Sequence, residues 1–230
     1  GRKTDGLSTW AMYTVPTPAR ANGTANTTLG RIPSPQFSVQ GGFYSSNQTV
    51  SLSCSLSGVE IRYTTNGSDP TESSSKFLSS ITISSTTVLR AKAFKSGYQP
   101  SNTVSRTYFI NERKPDLPVI SLSTDSKHFF DDQTGIYVKG TNGITGNCIT
   151  YPVNWNQEWE RPISFEYFDE DGSFKLQVNA GTQVMGGCSR QWDQKSLGIY
   201  CRSEYGPTSM DYKFFPNRNY DKSQSLQLRN

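Results

Sequence analysis

The sequence predicts a mainly β chain, and three observations carry that expectation. Hydrophobic residues make up only 33% of the chain while aromatics make up 12%, a balance that suits strands burying one face and wetting the other. Apolar and polar residues alternate over short runs. Val50, Leu52 and Cys54 alternate with Ser51 and Ser53, Ile61 and Tyr63 with Arg62 and Thr64, and Leu89, Ala91 and Ala93 with Arg90 and Lys92. Period two is the mark of a half-buried strand. Turn residues punctuate these runs, as at Asn66-Gly67-Ser68-Asp69-Pro70. Short strands with turns at regular spacing indicate a β-sandwich.

A chain of 230 residues accommodates one large or two ordinary domains. Its net charge of +4 is spread without runs, and no basic stripe is interleaved with aromatics, so no nucleic-acid partner is expected. No apolar run approaches the roughly 20 residues of a membrane-spanning helix. The start, Gly1-Arg2-Lys3, and the stop at Leu226–Asn230, in what reads as the middle of a strand, lead us to expect an internal fragment. The absence of a signal peptide is therefore silent on secretion.

Metal and triad chemistry are not expected. His128 is the single histidine, and Cys54, Cys148, Cys188 and Cys201 form no CxxC, so zinc lacks a ligand set and a serine triad lacks a setting. Four cysteines allow three pairings. Asp131-Asp132 and Asp169-Glu170-Asp171 read as turn residues, because carboxylates do not recur at calcium-loop spacing.

Residues 1–32 read as a terminal strand near Trp10–Thr14 and a linker, since Pro16 and Pro18 cannot continue a central strand. Residues 33–111 read as one all-β unit closing with a strand over Thr103–Ile110. Asn111–Asp116 is a short charged hinge ahead of a second unit, 117–230. That unit opens with an apolar strand, Leu117–Leu122. Thr124-Asp125-Ser126 then supplies an N-cap for a helical turn through Phe130. A strand follows at Ile136–Lys139. Ile163, Phe165 and Tyr167 alternate with Ser164, Glu166 and Phe168, predicting a strand with one inward face. Asp169–Gly172 is a hairpin turn, Phe174–Val178 the return strand, and Asp211–Phe215 a further short element.

The stretch 179–206 holds the candidate site. Two extended runs, Thr182–Met185 and around Lys195–Arg202, flank Gly186-Gly187 and Cys188-Ser189-Arg190. A glycine pair lets backbone N–H groups approach an anion, and Arg190 and Lys195 follow it. The plainer alternative is a polar loop with both cations solvated, since no full phosphate-loop pattern is present. In the first unit, Tyr63, Asp69 and Tyr98 offer a sugar platform; the alternative is a core tyrosine and an aspartate capping its turn. Cys54 and Cys201 read as buried thiols, and Glu160 as an ion-pair or strand-cap carboxylate.

Three resemblances add to this. "PQFSVQGGFYSSNQTVSLSC", "EIRYTTNGSDPT" and "TVLRAKAFKSGYQPSNTVSRTYFI" resemble the chitobiase/β-hexosaminidase C-terminal Ig-like domain, which implies an Ig-like accessory β-sandwich over about 33–111 without catalytic residues. "WAMYTVPTPARAN" resembles the closing strand of a lamin-tail Ig-like domain, at 8–22. "LPVISLSTDSKHFFDDQTGIYVKG", "NWNQEWERPISFEYFDEDGSF", "GTQVMGGCSRQWDQKSLGIYCRSEYG" and "LQLRN" resemble the spore-coat CotH kinase family over about 117–230. This implies the β-rich N-terminal part of an atypical kinase-like domain. The family transfers phosphate from ATP, with magnesium, to protein hydroxyls, so ATP and Mg are expected for an intact domain and a protein is the expected substrate. Its metal-holding and proton-accepting acidic motifs lie further downstream and have no counterpart here, so the fragment itself is expected to be inactive, with no catalytic residue and no cofactor of its own. Lys195 and Arg190 are the expected nucleotide contacts. An extracellular or cell-surface protein is expected, and for an exported chain Cys148–Cys188 is the preferred disulfide. The alternative is a non-enzymatic binding or adhesion module, taking a surface partner or a glycan. A glycosidase would need paired carboxylates across a sugar site and is the weakest reading.

Overall fold

The computed structural model describes residues 12–13, 27–146 and 148–229. The expected lamin-tail strand lies largely outside these residues; its described part, Met12–Tyr13, pairs antiparallel with Thr27–Thr28. The chain is mainly β, and its two five-stranded sheets each carry a separate apolar core.

The first sheet runs in the order Gly42–Tyr44, Val104–Ile110, Thr87–Phe94, Glu60–Thr64, Ser75–Lys76. Gly42–Tyr44 lies parallel to Val104–Ile110, and the other pairings are antiparallel. A second layer is built from two short pairs, Gln36–Phe37 with Leu52–Ser53 and Gln48–Val50 with Ile81–Ile83. Val50, Leu52 and Ile83 from that layer pack on Leu89, Ala91, Ala93, Tyr108 and Ile110. The alternation read from the sequence places these side chains inward. The single strand expected over Val50–Cys54 is divided at Ser51. There Ser51 N–H donates to Ser38 Oγ (2.8 Å), Ser38 N–H donates to Ser51 O (2.9 Å), and the chain changes partner.

The second sheet is antiparallel, in the order Val119–Ser123, Arg161–Phe168, Phe174–Val184, Leu197–Tyr200, Ser225–Leu228. Ile163 stands opposite Ala180 and Phe165 opposite Val178, and Val184, Leu197, Ile199, Ile136 and Met210 complete the core. The return strand is longer than expected: Phe174–Val184 is continuous through Gly181. Among the described residues no helix is long and apolar enough to cross a membrane.

A short helix, Ser126–Phe130, forms where the N-cap signal places it, with Asp125 Oδ1 accepting from Lys127 N–H at 3.2 Å. Asp125→Ala is expected to cost about 1 kcal/mol, the usual loss for such a cap, measurable by chemical unfolding. The strand expected at Ile136–Lys139 does not form. Ile136 N–H donates to His128 O and Tyr137 N–H to Phe129 O, so the helix's own unpaired carbonyls take these donors. Ile136 drops into the core and Tyr137 stacks on Phe129 at 5.7 Å between ring centres.

The strand Arg161–Phe168 departs from its expected single inward face: from Ile163 to Phe168 every residue is buried. Ile163, Phe165 and Tyr167 face the second core, while Glu166 and Phe168 meet the first unit. Thr107 N–H donates to Glu166 Oε1 (3.1 Å), and Thr107 Oγ1 lies 2.5 Å from Glu166 Oε2 and 2.8 Å from Ser121 Oγ. Gly41 permits this approach, since a Cβ there would stand 2.9 Å from Thr107 O and 3.2 Å from Glu166 Oε1. Beside this contact Phe43 stacks on Phe109 (4.3 Å), and both meet Phe168 edge-on. The connector is tied at both ends. Asn111, left-handed at φ 57°, donates its N–H to Tyr44 O, and Lys114 Nζ donates to Glu170 O.

Candidate functional site

The strand Phe174–Val184 ends two residues before Gly186, whose φ of +105° suits glycine. A 3-10 turn, Cys188–Gln191, follows, and the chain returns as Leu197–Tyr200. Cys148 and Cys188 are joined as a disulfide with Cα atoms 5.1 Å apart. The bond ties this turn to the hairpin of Ile144–Gly146 and Ile149–Val153.

Arg190 and Lys195 converge on Trp155. Arg190 Nε donates to Gly186 O (2.6 Å) and Nη1 to Trp155 O (3.1 Å). Lys195 precedes its strand and is only 7% exposed. Its ammonium sits 4.2 Å from the Trp155 ring centre and 5.3 Å from that of Tyr137, donating to Trp192 O at 2.7 Å. Such stacking on ring faces stabilises a desolvated cation. Burial lowers the Lys195 pKa, and the charge of Asp193 opposes that shift. Among the described residues neither cation has a carboxylate at ion-pair distance. The buried Trp155 Nε1–H also finds no acceptor there.

A second feature was not singled out in the sequence. A cleft of about 440 Å³ opens between the two units, walled by Asp69, Arg90, Lys92 and Thr103 on one side and by Asp125, Lys127, Asn179 and Tyr205 on the other. Neither Arg190 nor Lys195 lines it. Asp69 is its organising group. Oδ1 accepts from Thr103 Oγ1 (2.7 Å) and Arg90 Nη2 (3.2 Å), and Oδ2 from Lys92 Nζ (3.0 Å). Partial burial works to raise the Asp69 pKa, but the Thr103 hydroxyl, Lys92 and Arg90 outweigh it and hold the carboxyl below its ordinary value. Asp69 is thus not the turn cap; Asn66 Oδ1 does that, accepting from Ser68 N–H at 3.1 Å. Tyr63 and Tyr98 pack against the first core and form no platform with Asp69. The cleft was missed because its walls come from positions far apart in sequence. Its legible signal was the pair of cations, Arg90 and Lys92, on one face of the strand Thr87–Phe94.

Glu160 pairs with Arg202, whose Nε lies 2.8 and 2.9 Å from the two carboxylate oxygens. Cys201 is buried, and burial raises its thiol pKa; Cys54 is half-buried.

Residues 39–105 match the chitobiase/beta-hexosaminidase C-terminal domain family, which supports reading this stretch as an accessory, carbohydrate-related module. No curated protein and no solved structure matches the chain.

Proposed function

We propose that the chain is a fragment of a multidomain extracellular or cell-surface protein. Its accessory sandwich is docked on the front portion of a CotH-like, ATP-dependent protein kinase domain. One observation carries the reading. Among the described residues Lys195 is a buried ammonium with no carboxylate at ion-pair distance, near a glycine turn, Arg190 and an indole N–H that finds no acceptor. A desolvated cation is costly unless an anion balances it, and phosphate oxygens would satisfy these donors together.

ATP and magnesium fit as the cofactors of the intact domain, where ATP supplies the phosphoryl group. Lys195 and Arg190 would hold its phosphate oxygens, Arg190 through the guanidinium edge not used by Gly186 and Trp155. Residues 117–230 carry no counterpart of the family's metal-holding acidic motif, so these residues alone would bind without transferring phosphate to a protein hydroxyl.

The test is a titration of the intact protein with ATP and magnesium, comparing wild type with Lys195→Ala. Loss of one charge-assisted phosphate contact is expected to weaken binding by about tenfold or more. Equal affinities would remove Lys195 from the site.

A further inference from the structure

The cleft between the two units is separate from the Lys195 site and stands or falls independently of the kinase reading. Its chemistry selects among ligand classes. Four cationic side chains (Arg31, Arg90, Lys92, Lys127) and three anionic ones (Asp69, Asp125, Glu204) line it. Most of that charge is already matched within the walls: Asp69 holds Arg90 and Lys92, and Asp125 lies 3.5 Å from Lys127. A nucleotide or phosphate would meet three carboxylates and few unmatched cations. An apolar ligand would find little besides Pro100, Pro162 and Ile163.

What remains is a set of short, fixed donors and acceptors: Ser101, Asn102, Thr103, Thr124 and Asn179. Several are locked. Ser101 Oγ accepts from Ala93 N–H at 2.9 Å and donates to Asn102 O, Thr124 Oγ1 donates to Pro162 O, and Asn179 Nδ2 donates across the gap to Thr103 O at 2.9 Å. That last bond, with the Glu166–Thr107 contact beyond it, fixes the width of the cleft. Tyr205 is the aromatic residue of the lining. The volume of about 440 Å³ falls within the range of roughly 300–1,000 Å³ typical of ligand pockets.

We propose that this cleft binds a neutral, hydroxyl-rich oligosaccharide. Asn102, Thr103 and the Asp69 cluster would engage its hydroxyls, and the Tyr205 ring would lie against the apolar face of a sugar ring. A lining that combines preformed polar groups with one aromatic ring suits a ligand whose two faces differ in polarity, as a pyranose does.

The experiment titrates the full chain by calorimetry with neutral hexasaccharides: cellohexaose, laminarihexaose, maltohexaose and the hexamer of N-acetylglucosamine. At least one is expected to bind. Asn102→Ala, an exposed position, and Tyr205→Ala are each expected to weaken it by about tenfold with the unfolding midpoint held. Lys195→Ala is expected to leave it unchanged. No heat with any hexamer up to millimolar concentration would overturn the proposal. So would binding that survives both cleft substitutions, or binding displaced competitively by ATP. Because ATP binding is read through Lys195 and saccharide binding through Asn102 and Tyr205, each reading can fail without the other.

Discussion

Glu166→Ala is expected to lower the unfolding free energy by about 3 kcal/mol, while Glu166→Gln leaves it within about 1 kcal/mol of wild type. The two substitutions differ in what they leave behind. Alanine empties a fully buried position and strips the acceptor from Thr107 N–H. Glutamine keeps the shape, accepts from Thr107 N–H through its carbonyl, and offers an N–H to Thr107 Oγ1. Urea unfolding of the three proteins decides it. Equal stability of all three would show that the inter-unit contact contributes nothing.

The same residue gives a pH dependence. Burial raises the Glu166 pKa above the ordinary carboxylate range, against the opposing pull of the Thr107 hydrogen bonds and the Arg106 charge. Below the unfolded-state pKa both states hold the proton and this contribution is fully present. As pH rises from there through the raised folded value, the unfolded chain releases its proton first, so stability falls. Glu166→Gln removes that slope. The Asp69 carboxyl, held low, slopes the other way: its contribution is present above the ordinary aspartate range and fades as pH drops through its depressed folded value. Unfolding curves taken from below the ordinary aspartate range up to neutral pH separate the two through the Gln variant.

Replacing both Cys148 and Cys188 by serine is expected to cost about 4 kcal/mol, from the loop-closure entropy of a bond that spans 40 positions. The loss should appear as a shift in denaturation midpoint. It should also reach the Lys195 site, because the disulfide fixes the turn that carries Arg190 against Trp155. A double variant as stable as wild type, with wild-type ATP affinity, would show that the bond has neither role. A disulfide in this position persists in an oxidising compartment, in keeping with the proposed extracellular location.

Local periodicity made much of the fold legible. Leu89, Ala91 and Ala93, or Ile163, Phe165 and Tyr167, announce an inward face from three alternate residues, because a strand's side chains must alternate. What stayed hidden depended on distant partners. Glu166 looked like a solvent-facing residue and is buried, since nothing near it in sequence reveals that Thr107 covers it. Ile136–Lys139 carried strand-forming residues, yet its backbone donors were taken by the end of a helix. Asp69 sat in a turn motif, and only the fold shows that its partners are Arg90, Lys92 and Thr103. Lys195 was visible as a candidate cation, but its enclosure by Trp155 and Tyr137 depends on residues roughly 40 to 60 positions away.

The ring contacts of Phe43 and Phe109 with Phe168 have a bearing on how the molecule comes apart. Each partner hides grease that the other would otherwise have to show to water. Warming should therefore melt both halves in one concerted step, and a piece severed at the 111–116 connector would carry a sticky flank prone to clumping with its own copies.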